Sequence, residues 1–329
     1  MRNDEREMLR SGLQRVLIES EPGSVGKALR EFGWIDLLLH EPAEAVASLF
    51  EFQGATSMTS PMLDVVMFQP LADLVGTDLT KETVGLIAPG PSRGTLPTSL
   101  LADGAVAIDG IASAEIGTCD WIAVPAIADG ELVVVIVDGP LDTLSCEPVS
   151  GLDPWLRLHR IGGTVTAHTI VRGGEAAALW SAATAAGRRA LAHELVGGAR
   201  AMLALAVEHA STREQFGRAV GTFQALKHRM ADAKVNLTAA EAAVQESWVT
   251  MDATSALLAK LWAGRASGVG AKHAQQVLAG MGFTWEHPFH RYLRRAVLLD
   301  ATLGSSRDLA VELGARLVRD GLPQVLVDL

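Results

Sequence analysis

The sequence predicts an α+β multidomain chain with a short N-terminal helical domain, a middle β domain and a C-terminal bundle of long helices. Three textures predict this order. Residues 1–82 carry short amphipathic stretches, 83–172 carry short β-branched runs broken by Gly and Pro, and 173–329 carry long Ala-rich helical patterns. The chain has 329 residues, 49% of them hydrophobic, and a mean hydropathy of +0.23. That is enough apolar material for two or three domains.

The elements follow in chain order. Glu5 to Ile18 sets Met8, Leu9, Leu13, Val16 and Leu17 on one side of a helix. Glu41 to Phe52 has Pro42 in its first turn and an apolar run behind it. Met62 to Val75 reads as a third helix with a break expected near Pro70. Strands are predicted over Val84–Ala88, Ala105–Asp109, Trp121–Pro125, Leu132–Val137 and Gly163–Val171. Turn signals such as Ala128-Asp129-Gly130 and Asp138-Gly139-Pro140 separate them. Helices are then predicted over Glu175–Ser211, Thr222–Val249, Ala253–Ala279, Phe289–Leu299 and Ser306–Val318. Their length and their Ala and Gly content suit close packing in a bundle and an oligomer interface.

Composition narrows the functional classes. A formal charge of −10 and a pI near 5.4 argue against broad nucleic-acid binding. With 20% charged residues the chain is not a disordered polar one. Cys119 and Cys146 give neither a disulfide framework nor metal spacing and read as two reduced, buried thiols. The charged opening MRNDEREMLR lacks a secretory h-region, and no uncharged apolar run reaches the roughly 18–20 residues that cross a bilayer. A soluble, cytoplasmic protein with no membrane partner is the expectation.

Two stretches carry chemistry. In Ser211-Thr212-Arg213-Glu214-Gln215-Phe216-Gly217 an arginine follows a long helix, and Gln224 lies eleven residues on. A guanidinium offers a planar fork of donors that matches a pyrophosphate. Alone, that arginine reads more readily as a helix-terminal residue in a surface salt bridge. In Gln276-Val277-Leu278-Ala279-Gly280 glycine permits close backbone approach at a helix end. An ordinary glycine-ended helix explains Gly280 and Gly282 but not Gln276.

Taken together, these stretches resemble the two flavin-binding signatures of the acyl-CoA dehydrogenase family. The order of helices, β unit and long-helix bundle resembles that family's fold, which implies a β-barrel in the middle domain. By the resemblance, Arg213 contacts an FAD pyrophosphate, and Phe216 and Gln224 reach the cofactor across a subunit interface. Gln276 and Gly280 lie along the adenosine side, where Ala279 replaces a family glycine.

The same resemblance exposes absences. His287-Pro288-Phe289-His290-Arg291-Tyr292-Leu293-Arg294-Arg295-Ala296 looks like the family segment ending in Arg-Asp-Ala, here Arg-Arg-Ala. Counting on, the family's catalytic Glu-Gly-Thr falls on Leu303-Gly304-Ser305. An alternative base position on the first long helix falls on Gly187, beside Arg188. Neither residue can remove an α-proton, which needs a carboxylate within hydrogen-bond reach. Asp300, one turn before Leu303, is the remaining candidate, against a capping role. Ser305 keeps a hydroxyl for a cofactor contact. In the β unit only Pro89 and Ser92 survive of the family's flavin run, and Ala123 stands where a hydroxyl residue reaches the ring. His287 and His290 are three apart but lack a third metal ligand. Gly90-Pro91-Ser92-Arg93-Gly94 matches a hydrolase nucleophile elbow, but Thr95-Leu96-Pro97 does not open the helix that motif needs.

The short N-terminal part, the missing base and the half-kept flavin site together resemble one subunit of the heterotetrameric (α2β2) acyl-CoA dehydrogenases of actinobacterial steroid and cholesterol catabolism. That implies a full-length catalytic partner subunit, FAD, a bulky steroid-derived acyl-CoA, and electron-transfer flavoprotein as acceptor. The partner's carboxylate takes the α-proton and FAD N5 takes the β-hydride. A self-sufficient homomer using Asp300, or a non-enzymatic remnant, are the alternatives.

Overall fold

A computed structural model describes residues 3–21, 23–88, 98–101, 104–113, 116–139 and 143–321. The N-terminal helices are α1 (Asn3–Glu19), α2 (Val25–Glu31), α3 (Trp34–His40), α4 (Pro42–Thr56) and α5 (Met62–Phe68). A 3₁₀ stretch, Gln69–Leu74, takes over where Pro70 was expected to break the third helix. The sequence reading missed α2 and α3, which are seven residues each and too short to show helical periodicity.

The middle sheet holds β1 (Val84–Leu86), β2 (Ser99–Leu100), β3 (Ala105–Ser113), β4 (Trp121–Ala128), β5 (Glu131–Asp138), β6 (Ser145–Pro148), β7 (Leu158–Thr166) and β8 (Thr169–Val171). Its order is β6-β7-β3-β2-β4-β5-β8, with β1 parallel to β4. Among the described residues the hydrogen-bonded path runs from β6 to β8 without closing. Burial alternates strictly along β3, so one face packs inward. The stretch expected as one strand over 163–171 is two. β7 pairs with β3, the chain turns at Ala167-His168, and β8 pairs with β5. The β6 strand is exposed along its length, so it carries no alternation to read.

The C-terminal bundle is α6 (Gly173–Thr212), α7 (Gln224–Thr250), α8 (Ala253–Leu278), α9 (Phe289–Ala301) and α10 (Ser306–Asp320). A two-stranded hairpin, β9 (Glu214–Gln215) and β10 (Arg218–Ala219), links α6 to α7. At 40 residues, α6 is the one described helix long and apolar enough to cross a membrane by composition alone. Its apolarity is explained by packing, because Ala190, Leu191, Leu195, Ala199 and Met202 are buried among the neighbouring helices.

One core fuses the parts. Leu49 and Phe50 of α4, Phe68 of α5, Leu86, Ala123 and Ile136 of the sheet, and Ala190 of α6 belong to a single apolar cluster. A second cluster fills the other side of the sheet around Val106, Ile122 and Val135. α4 lies hard against α6, because a side chain at Gly54 or Gly197 would run into the backbone of Glu194 or Glu51. His193 ties the same helices together. Its Nε2 accepts from Trp248 Nε1 at 2.9 Å, so its Nδ1 carries the proton facing Glu51 Oε1 at 3.1 Å. Of the two thiols expected to be buried, Cys119 is, but Cys146 is exposed because it lies on the edge strand β6.

Candidate functional site

A cavity of about 470 Å³ opens where α4, α5, the sheet, α6 and α9 meet. Leu63, Met67, Leu191, Leu298 and Leu303 give it an apolar wall, and Glu194 adds a carboxylate. Leu303 and Gly187, singled out independently by counting, stand side by side. A Cβ on Gly187 would sit 2.6 Å from Leu303 Cδ1 and 2.7 Å from Met67 Sδ. No acid is present at either position, and the gap between them is filled.

The loop that carries Leu303 is gripped by two cations. Lys260 on α8 is 0% exposed, and its Nζ donates to Asp300 O at 2.9 Å and Gly304 O at 3.3 Å. Burial holds its pKa down at about 8. Arg188 Nε donates to Leu303 O at 3.0 Å, and its Nη2 reaches Glu312 Oε2 at 3.3 Å. Leu303 and Gly304 both have positive φ, +57° and +102°. The leucine is therefore held in a conformation that costs about 1–3 kcal/mol.

Asp300 is not a wall residue of this cavity. Its Oδ1 accepts from Ser306 N at 3.0 Å and its Oδ2 from Ser306 Oγ at 3.2 Å, at the first turn of α10, and it borders a separate groove between α8 and α9. This is the capping role. Ser305 is likewise engaged, as the N-cap of α10. Its Oγ donates to Asp308 Oδ2 at 2.6 Å and accepts from Asp308 N at 3.2 Å. A cofactor contact by Ser305 would come on top of that cap.

At one end of the bundle the REQFG hairpin projects. Phe216 and Gly217 both take positive φ, +55° and +75°, as a two-residue hairpin turn requires. Phe216 is 91% exposed, and it meets Phe223 edge-on at 6.2 Å. Arg218 lies over the Phe223 ring at 4.3 Å. Arg213 caps the C-terminus of α6 with its backbone, and its guanidinium makes no side-chain hydrogen bond or ion pair among the described residues. Gln224 and Gln276 are exposed in the same way. Ala210, Val220 and Leu226 share an apolar cluster with Val277 and Leu278, so both stretches sit at the same end of the bundle. His209 registers this closeness. Partial burial, then Arg213, then His287 lower its pKa. After α8 the chain turns at Ala279, with φ +51° and ψ −130°, a glycine-type conformation held by an alanine.

The acyl-CoA dehydrogenase C-terminal domain family matches residues 176–316. Over 323 residues, the chain is 32% identical to the acyl-CoA dehydrogenase IpdE2 of Mycolicibacterium smegmatis, covering 93% of this chain and 96% of that protein. The chain belongs to the acyl-CoA dehydrogenase family. Among solved structures it is similar to a chain of the Tcur3481-Tcur3483 steroid ACAD G363A variant, with TM-score 0.77, 20% identity, and 96% and 98% of the two chains covered. It is also similar to a chain of the ChsE4-ChsE5 complex of Mycobacterium tuberculosis, with TM-score 0.75, 18% identity, and 98% and 99% covered.

This acyl-CoA dehydrogenase family is FAD-dependent. The free guanidinium of Arg213, the two exposed glutamines and the glycine-type turn at Ala279 suit an anionic, nucleotide-bearing group of that kind. The β side differs. Ala123 is wholly buried in the core that joins the sheet to the helices, and Trp121 Nε1 turns to Glu82 Oε1 at 3.4 Å. Pro89, Ser92 and the Gly90–Gly94 hydrolase-like run lie outside the described residues. His287 and His290 are held locally, with His290 Nδ1 2.9 Å from His287 O.

Sequence reasoning missed the node behind the cavity wall. Arg295, where the family motif has aspartate, spends all five guanidinium N–H groups. It donates to Asp153 Oδ2 at 2.6 Å, Glu194 Oε1 at 3.0 Å, Met58 O at 2.6 Å, Ser57 O at 3.1 Å and Thr59 Oγ1 at 2.9 Å. The departure from Arg-Asp-Ala to Arg-Arg-Ala was the available signal.

Proposed function

We propose that this chain is the base-lacking subunit of a mixed acyl-CoA dehydrogenase. In that assembly it completes a full-length partner's FAD site with Arg213, Phe216, Gln224, Gln276 and Gly280. The observation that carries this reading is the meeting of Gly187 with Leu303 of the cavity wall, with no carboxylate at either. The exposed hairpin, whose arginine makes no side-chain bond among the described residues, supports it from the other end of the bundle.

Bound FAD supplies a hydride acceptor. In this reading the residues of this chain bind and orient it, and the partner's carboxylate takes the α-proton. The substrate is a bulky acyl-CoA, steroid-derived by analogy with the relatives' printed names. Electron-transfer flavoprotein is the proposed acceptor and the cytoplasm the proposed location.

The test is purification of the chain alone and with its co-expressed full-length neighbour. Yellow colour and acyl-CoA dehydrogenation only in the mixed preparation, with an α2β2 native mass and one FAD per heterodimer, is the expected result. A yellow, active homomer would overturn it. In that case Glu194 and Asp64, which border the cavity, and not Asp300, would be the acids to examine.

A further inference from the structure

α7 gives only one face to the bundle. Leu237, Ala240 and Val244 are buried in a cluster with residues of α6 and α8. On its outer face His228, Ala231, Val235, Thr238, Ala242 and Gln245 are all exposed, and Val249, 77% exposed, extends the row. Their steps along the chain alternate between three and four residues. That is the a/d spacing of a seam between two helices, kept here over about 32 Å at a rise of about 1.5 Å per residue. The row itself holds no Lys, Arg, Asp or Glu. The charges flank it, with Lys227, Lys234 and Glu241 just before its a positions and Asp232 and Glu246 just after its d positions.

These flanking charges favour one pairing. Two parallel copies of the helix in register would set Glu241 of each beside Glu246 of the other. Two antiparallel copies set Lys234 of each beside Glu241 of the other and oppose no like charges along the row. Lys234 Nζ already lies 3.8 Å from Glu241 Oε2 of its own chain, and Arg200 Nη2 holds Glu241 Oε1 at 2.8 Å. Antiparallel pairing therefore joins two such groups into one network. Exposed charges of this kind fix direction and register more than affinity. In the same arrangement Val235 packs on Thr238, Ala231 on Ala242, and His228 on Gln245 of the second copy. The row is thus complementary to its own reverse, as a two-fold contact requires.

We propose that the outer face of α7 is where two copies of this chain meet, their α7 helices antiparallel about a two-fold axis level with Val235 and Thr238. Both helices are already folded against α6 and α8, so the contact orders little new backbone. The inference does not rest on the subunit reading above, because a homomer and a mixed tetramer both contain two copies of this chain.

The test uses the full chain carrying Cys146→Ser, which removes the exposed thiol, both alone and co-purified with its full-length neighbour. Chains with Val235→Cys and with Thr238→Cys are co-expressed under different tags and mildly oxidised. The expected product on a non-reducing gel is the link between position 235 of one copy and position 238 of the other, in excess of both self-links, because a disulfide forms only between closely opposed residues. Dominant self-links would mean parallel pairing, and no link in either preparation would mean that a second copy does not cover this face. Each result overturns the proposal. Val235→Glu suits an exposed helical position, so circular dichroism should not change, and the contact between copies should weaken on the order of a hundredfold. In the mixed complex this variant should split the tetramer into heterodimers that keep their flavin. Loss of the full-length subunit together with the flavin would show that α7 covers that subunit instead, and would also overturn the proposal. Failure of any neighbour to co-purify would count against the subunit reading alone, since cross-linking of the lone chain still decides this one.

Discussion

Arg295 and Arg213 stand at opposite extremes of the same helical bundle. Arg295 is buried, pairs with Asp153 and Glu194, and ties the 57–59 loop, the sheet side and α6 to α9. Arg213 is exposed at the foot of a projecting hairpin, with no side-chain partner among the described residues. A cation that spends every donor inside the fold is holding the fold. A cation left free beside a 91% exposed phenylalanine is available to something outside it. The two regions thus separate what stabilises this chain from what it leaves exposed.

The sharpest way to break the comparison is at the buried end. Arg295→Met leaves Asp153 and Glu194 buried and uncompensated, so stability should fall by about 3–5 kcal/mol. Urea unfolding at pH 7 measures it. A loss under about 1 kcal/mol would mean that the node is not a charged one. Burial already raises the pKa of Glu194, with Arg295 opposing and Asp153 adding to the shift, so removing the arginine should raise it further.

Arg213→Ala should do the reverse. Stability should stay within about 0.5 kcal/mol. FAD affinity of the mixed complex should drop roughly ten- to hundredfold, because a charge-assisted hydrogen bond to phosphate is lost. Gln276→Ala should weaken FAD less, since it removes a neutral contact. Titration of deflavinated complex decides it, and unchanged affinity for Arg213→Ala would reduce that residue to surface charge.

The two ends were unequally legible in the sequence. The run from Arg213 to Gly217 could be singled out because it is local, although it reads as a turn between helices and its two short strands, β9 and β10, do not show in the sequence. Arg213, Phe216 and Gly217 lie in one run, and the turn needs positive φ where glycine follows. The long helices were readable because α6, α7 and α8 span many turns of periodicity. The Arg295 node was not, because its partners come from residues 57–59, 153 and 194, and no local spacing announces a contact made by tertiary packing. The same reason hid the meeting of Gly187 with Leu303, 116 residues apart in number and adjacent in space. Asp300 was only a candidate base by spacing, set against a capping role, and its bonds to Ser306 are those of a cap.

Lys260 sharpens the comparison as an intermediate case, a buried cation bonded to carbonyls rather than to a carboxylate. Its pKa, held at about 8 by burial, lies below the unfolded value of about 10.4. Between those values the unfolded chain binds the extra proton, so stability rises with pH. The burial penalty is fully present below pH 8 and is relieved above it. Relative to Lys260→Met, wild type should gain about 2 kcal/mol from pH 8 to pH 10. Parallel denaturation curves across that range read the difference. A flat difference would show that Asp300 and the carbonyls keep the ammonium protonated throughout.

The smallest effect returns to the exposed end, at the turn after α8. Ala279 takes φ +51° and ψ −130°, a region glycine enters freely and a Cβ does not. Open space surrounds the adjacent Gly280, so no packing forces the shape. The turn is instead set by the 3₁₀ stretch Ala279–Phe283 that follows, and Gln275 Nε2 donates to Ala279 O at 3.4 Å. Ala279→Gly relieves about 1–3 kcal/mol of strain. It gives back about 1 kcal/mol through the greater freedom of glycine in the unfolded chain. The net expectation is a stabilisation of about 1 kcal/mol, read as a higher thermal midpoint, with the Gln276 side chain still exposed. A destabilised Ala279→Gly variant would mean that the methyl group itself is buried in an interface. That would place the turn after α8, like Arg295, among the groups that hold structure together rather than those left exposed.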